Sequence, residues 1–322
     1  MTNILNITNG DCAVEIMKKA DIPGIFLPWR DVLHDGPVPE HLSLQELSTV
    51  RAQFIIDRGW GAPDEIIESF IQRDNELNAC RKYEKVILWF EHDLYDQLQL
   101  LQILDWFDKN LTGATELFMI CTEQYLGSLS PEEIKDLMQY KQLVTKEHLT
   151  LSARAWSAFR SHSPEKWCRL LNTDTSALPF LSGAIVRLLQ EYPSCSNGLS
   201  RTAEQVLQVI SQGENHPGKV FTSTQKLEER IFLGDSSFWV VLHELLESNP
   251  PLITLPEGQK LTLPAGKGQQ LSITSAGLKV LAGKVNLLDI SPLDRWIGGV
   301  HLKAGNAWFW NSDSRSIVKR AE

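Results

Sequence analysis

Along the first 125 residues, short apolar runs alternate with amphipathic stretches. NILNIT, GIFLPW, KVILWF and TELFMIC are near-continuous apolar runs of strand length. That is the pattern of strands covered on both faces. The intervening stretches have helical spacing. CAVEIMKKA follows an NGD turn. Residues 43–58 bring Leu44, Leu47, Val50 and Phe54 to one side. PDEIIESFIQRDNEL opens with Pro63 and two acids, as a helix dipole favours. DLYDQLQLLQILDWFDKN places Leu94, Leu98, Leu101 and Leu104 in a stripe, with Asp93 as its N-cap. RDVLHDGPVP, broken by Gly and Pro, is a polar loop. This alternation predicts right-handed crossovers and a parallel sheet, hence a Rossmann-like α/β domain over residues 1–125.

The pattern then changes. Residues 126–194 form a helical connector, with a capping box at Ser130 and Glu133 in SPEEIKDLMQY, and PSCSNGLS is a linker. Over residues 195–286, RTAEQVLQVISQG, TQKLEERIFLG and SSFWVVLHELLES predict three helices. The third carries Phe238, Val241, Leu242, Leu245 and Leu246 in one stripe. Two short strands and a helix follow in PLITLP and QLSITSAGLKVLAG, the order of a winged-helix-like module. Residues 287–322 are a tryptophan-rich tail, WIGGVHLKAGNAWFWN, folding as a β-hairpin around Ala304–Asn306, with Trp296, Trp308 and Trp310 as core.

Composition narrows the class. The chain has 322 residues, 43% hydrophobic and 22% charged, normal for a globular protein. No basic region precedes a long apolar core at the N-terminus, and no apolar run approaches membrane-spanning length. A cytoplasmic protein with no membrane partner is expected. Five scattered cysteines without a C-x-x-C pair suit a reducing compartment and suggest no zinc knuckle. The net charge of −9 is uneven: residues 1–194 hold 18 Lys/Arg against 28 Asp/Glu, residues 195–322 hold 13 against 12. An acidic N-terminal half argues against a nonspecific nucleic-acid surface.

Ligands in open parallel sheets bind beyond the carboxyl ends of the strands. Three such ends are polar here. The first gives Asn9, Gly10 and Asp11. The second gives Arg30 and Asp31, with His34 in the loop. The third gives Glu91, His92 and Asp93, with Asp96 and Gln97 one helical turn on. Gly10 would let a ligand approach the backbone, and the helix after it offers free N–H groups to an anion. Arg30 and Arg51 are suited to hold a phosphate or carboxylate. Asp11, His34, Glu91, His92 and Asp93 are residue types that bind a divalent metal or act as general acid and base. In extended chain, Glu91, His92 and Asp93 alternate direction, so at most two face one point. Plain alternatives compete: Asp93 as a helix cap, Arg30 and Arg51 as ion-pair partners, Cys12 as a small buried side chain. There is no G-x-G-x-x-G and no P-loop motif.

The winged-helix-like order raises DNA binding, but the third helix has no Lys or Arg and carries Glu244 and Glu247. Phosphate neutralisation and base reading both need other residues.

The stretches ITNGD, LPWRDVLHDGPVP, RAQFI, WFEHDLYDQLQLLQIL and DRWIGGVHL resemble the bacterial family catalogued as domain of unknown function 1835. EERIFLGDSSFW resembles the second uncharacterised module that its members often carry. The resemblance implies a cytoplasmic bacterial protein and no particular activity. Three functions are therefore expected to compete. One is a hydrolase or transferase site for a phosphorylated or nucleotide-like small molecule, with or without a divalent metal. The second is a ligand-sensing regulator acting through the winged-helix-like module, and the third a protein-interaction adaptor. Oligomeric state leaves no mark in the sequence.

Overall fold

A computed structural model describes residues 3–110 and 113–319. The chain divides into two compact units: residues 1–185 with 298–300, and residues 186–297 with 301–322.

The first unit is built on a mixed, mostly parallel sheet. Its elements are β1 (Ile4–Thr8), α1 (Asp11–Lys19), β2 (Ile25–Pro28), β3 (Gly36–Pro37), α2 (Leu44–Asp57), α3 (Pro63–Asn78), β4 (Lys85–Glu91), α4 (Leu94–Asn110), β5 (Glu116–Thr122), α5 (Pro131–Asp136), β6 (Gln142–Leu143), α6 (Lys146–Arg160), α7 (Glu165–Arg169) and the start of α8 (Leu181–Leu189). The strand order is β2-β1-β4-β5-β6. The β1–β2, β1–β4 and β4–β5 pairs are parallel, and β6 adds antiparallel to β5. That edge strand lies in a stretch whose sequence reads as helical. Two residues carry too little pattern to announce a strand.

The order matters for the site. From β1 the chain moves through α1 to β2 on one side, and from β4 through α4 to β5 on the other. Right-handed crossovers in opposite directions put α1 and α4 on opposite faces. In agreement, Ala13, Met17 and Ala20 of α1 pack with Ile87 and Trp89 of β4 and with Ile134 of α5. The junction of β1 and β4 is therefore the topological switch point.

The α4 stripe of Leu94, Leu98, Leu101 and Leu104 is buried as expected, but so are Gln97, Gln99, Gln102 and Asp105. The helix packs closely on α6 as well as against β4, so it has almost no solvent face. In α2 the buried side is Leu47, Ser48, Arg51, Ala52 and Ile55, rotated from the predicted stripe. The reason is Arg51, which turns inward. Both Ser43 at α2 and Ser130 at α5 form reciprocal capping boxes, with Glu46 and Glu133. Ser130→Ala should lower stability by about 1 kcal/mol, read from the urea midpoint of the first unit.

Residues 298–300 belong to this unit. Gly298 accepts from Val38 N–H at 2.7 Å, and Gly299 N–H donates to Phe159 O at 3.0 Å. A Cβ on Gly299 would stand 1.8 Å from Arg160 O, so only glycine fits where this segment presses on the end of α6.

The second unit contains α9 (Arg201–Ser211), α10 (Pro217–Gln225), α11 (Asp235–Glu247), β7 (Ile253–Thr254), β8 (Ser272–Ile273), α12 (Ser275–Leu281), α13 (Leu287–Ile290), β11 (Trp308–Asn311) and β12 (Ser316–Lys319), with β9 (Arg295–Gly298) up to Ile297 and β10 (Val300–Leu302) from His301. Its core joins Val206 and Ile210 of α9 to Phe238 and Leu242 of α11, and to Ile253 and Val280. The second helix occupies 217–225, not TQKLEERIFLG. Pro217 starts it at a position where its missing N–H costs nothing. Residues 228–234 are held irregular because Glu228 pairs with Arg187 at 2.8 Å and Glu229 with Arg201 at 2.6 Å. Burial alone would raise the Glu191 carboxyl, but Arg187 and Arg295 hold it down to about 2. In the tail, the turn at Lys303–Asn306 closes with a single bridge. The longer antiparallel ladder is β11 with β12. Trp308 and Trp310 are buried, while Trp296 is part-exposed and stacks on His301 at 4.3 Å.

Candidate functional site

Asn9 follows β1 directly, and Glu91 ends β4, so the two meet at the switch point. The Asn9 amide donates to Glu91 Oε1 and to Asp96 Oδ2, each at 2.9 Å. Glu91 Oε1 also accepts from Leu126 N–H, at 2.8 Å, in the turn after β5. Asp96 reaches back along its helix to accept from Glu91 N–H at 2.6 Å. Asp93 caps α4, accepting from Asp96 N–H at 3.2 Å. Gln97 donates to Glu91 O at 2.7 Å. Three strand ends and the first turn of α4 are thereby tied together.

Glu91, Asp93 and Asp96 are all buried, and each offers an oxygen within 4.8 Å of the others. Among the described residues, no Lys or Arg is ion-paired with any of them. Three ionised carboxylates cannot share so small a buried volume without a compensating charge. Burial and then the Glu91 charge push Asp93 up to about 7. Burial, followed by Asp93 and Glu91, holds Asp96 well above its ordinary value. Glu91 is raised by burial, against the hydrogen bonds from Leu126 and Asn9. The cluster therefore carries a proton near neutral pH. These three side chains are also the group that would hold a divalent cation, since their oxygens converge and suit hard metal ions.

The other expected residues are distributed around this cluster. His92 lies outside the group of converging carboxylate oxygens and packs against Tyr125 at 5.2 Å and Phe180 at 6.0 Å. His34 is buried with its ring edge-on to Tyr95 at 5.9 Å. Neither histidine belongs to the carboxylate cluster. Asp11 is exposed at the start of α1 and is clasped by Arg30 through two bonds of 2.7 and 2.6 Å. The hydrogen bond from Arg30 lowers the Asp11 pKa. Gly10 is extended, with φ −179°, and a Cβ there would meet nothing within 4 Å; the space beside it is open, but its backbone does not demand glycine.

Arg51 departs most from expectation. It is fully buried and donates to Asp31 Oδ1 at 2.9 Å and to the carbonyls of Val32, Asp35 and Pro37. Its nitrogens are spent on the loop that carries His34, so no face is left for a phosphate. Cys12, expected buried, is exposed.

Sequence reasoning missed Tyr95, the Leu126 N–H and Gln99. Tyr95 hydroxyl donates to Asn9 O at 3.3 Å. Burial and the neighbouring Asp96 carboxylate keep it protonated by raising its pKa. Gln99 donates to Asp31 O at 2.8 Å. A glutamine inside an apolar helical run was the available signal for Gln99. A backbone N–H leaves none.

No family model matches the chain, and no curated protein matches it. Among the described residues, no helix is long and apolar enough to cross a membrane.

Proposed function

We propose that the carboxyl edge of the sheet at β1 and β4 is the small-molecule site of a hydrolase or transferase. The observation that carries the reading is the Asn9 amide bridging Glu91 and Asp96 at the switch point, beside a third carboxyl group and with no basic side chain in the cluster. Open α/β sheets bind ligands in that crevice. A carboxyl group that gains and loses its proton near pH 7 is suited to general acid–base work. In this reading Asp93 and Glu91 exchange the proton, Asp96 and Asn9 hold them in place, and Tyr95 orients Asn9. Where a divalent cation binds, the same three carboxyl groups hold it in place of the proton. The open space beside Gly10 and the N-terminus of α1 receive the anionic end of a phosphorylated or nucleotide-like ligand, and Arg30 joins them only by releasing Asp11, which it holds at 2.6 and 2.7 Å.

The Rossmann-like description of the first unit and the winged-helix-like description of the second belong to this proposal, as does membership of the resembled family. The strand order β2-β1-β4-β5 supports the first. The run of α9, α10, α11 and the β7–β8 pair supports the second. Exposed His243, Glu244 and Glu247 on α11 weigh against a DNA-reading role for it.

The test is a thermal-shift panel of divalent chlorides, nucleotides and sugar phosphates on wild type and on Asn9→Ala. A ligand at a hundred times its Kd stabilises by about 2.7 kcal/mol. Wild type should show such a shift and Asn9→Ala should lose it. Equal shifts in both proteins, or none with any compound, would contradict the proposal.

A further inference from the structure

The acidity of the N-terminal half is not used by the strand-end site. Part of it surrounds a groove between α2 and α3. The groove has a volume of about 250 Å³. Ala52 and Phe70 form its buried floor. Its outer wall is Ile67 and Ile71, one helical turn apart on α3, and these are 46% and 54% exposed. Polar groups at the floor are already engaged: Arg73 donates to Ser48 Oγ at 2.7 Å and to Asp74 Oδ1 at 2.9 Å. An incoming group therefore meets mainly apolar wall.

The exposed charges that these two helices carry are acidic, and Arg58, exposed just past α2, is paired with Asp35 at 3.8 Å. Glu46, Asp57, Asp64, Glu65 and Glu68 are all exposed on these two helices. Their only bases, Arg51 and Arg73, are buried and paired with Asp31 and Asp74. No lysine occurs between Lys19 and Lys82. Glu46 and Asp57 lie three and four residues from the rim positions Thr49 and Gln53. Asp64 and Glu68 each lie three residues before Ile67 and Ile71. Helical spacing puts all four beside the groove.

Size and charge together select the occupant. Sites that enclose a whole small ligand run from roughly 300 to 1,000 Å³, and this groove is smaller and open. A second copy would pair like with like across an isologous interface, setting acid against acid. A helix laid in a groove, inserting two or three apolar side chains, fits the volume. We propose that the α2–α3 groove docks an amphipathic helix of a partner protein, whose apolar stripe enters between Ile67, Ile71 and Ile56 and whose flanking lysines or arginines meet the acidic rim.

The experiment uses the full chain and two fluorescein-labelled synthetic helices, one alternating Leu with Lys on an amphipathic pattern and the other Leu with Glu. Fluorescence anisotropy should show binding of the Leu/Lys helix, weakening with salt, and none of the Leu/Glu helix. The exposed-site double variant Ile67→Ser/Ile71→Ser should weaken it by at least about tenfold. Asp64→Lys/Glu68→Lys should weaken it and flatten its salt dependence, with circular dichroism confirming both folds. Three outcomes would overturn the proposal: no binding at low salt; binding unchanged in the isoleucine variant, which places the peptide elsewhere on the acidic surface; or concentration-dependent self-association abolished by Ile71→Ser, which makes a second copy the occupant.

Discussion

Asp93→Asn is expected to make the protein more stable than wild type at pH 8 in the absence of ligand, by up to about 4 kcal/mol. The folded state holds the Asp93 proton up to about pH 7, against an ordinary value of 3.8. Between those values the folded protein binds more protons than the unfolded chain. Stability from this group is therefore whole below pH 4, falls as pH rises through 7, and is flat above about pH 8. Asparagine is neutral throughout and remains a good N-cap, so the bond to Asp96 N–H survives. The difference between the two proteins should vanish near pH 4 and open on the way to pH 8, in urea unfolding followed across that range. A variant less stable than wild type at pH 8 would show that the carboxylate is compensated by a charge within the fold.

Arg51→Ala should have the opposite sign and a comparable size. It leaves the fully buried Asp31 carboxylate and three loop carbonyls without their donor. Breaking a buried ion pair by removing one partner costs about 3–5 kcal/mol. Arg51→Lys should recover only part of this, because a single ammonium cannot reach four acceptors that a guanidinium spans. The measurement is the denaturant midpoint of the first unit, followed separately from the second because the two need not unfold together. An effect under about 1 kcal/mol would mean that water replaces the guanidinium.

These two residues also show what the sequence could and could not reveal. Apolar runs of strand length marked all four parallel strands, because burial on both faces leaves little room for polar residues. The strand-end rule then brought Asn9, Glu91, Asp93, Asp96 and Gln97 to one place, and they do meet. Period-two alternation was read for an extended chain, but the chain bends at His92 and Asp93; it is Glu91 and Asp93 whose oxygens converge. Charge alone could not say which ionisable groups were committed elsewhere. Arg51 and Arg30 look alike as phosphate ligands in sequence. One is buried under a loop and the other clasps Asp11 at the surface, and that difference is set by tertiary packing. In the second unit, Pro217 and Gly218 masked a helix start, and EERIF resembled a helix although its acids are held by Arg187 and Arg201.

In the proposed site the strand-end carboxyl groups share a proton near neutrality and exchange it for a ligand. The direct measurement is a ¹³C carboxyl titration of aspartate-labelled protein from pH 4 to 9, with and without magnesium chloride. One aspartate should titrate near pH 7, be absent in Asp93→Asn, and be displaced to lower pH when the cation occupies the cluster. If every aspartate titrates below about pH 5 and none responds to magnesium, the strand-end cluster is an ordinary set of capped and solvated acids.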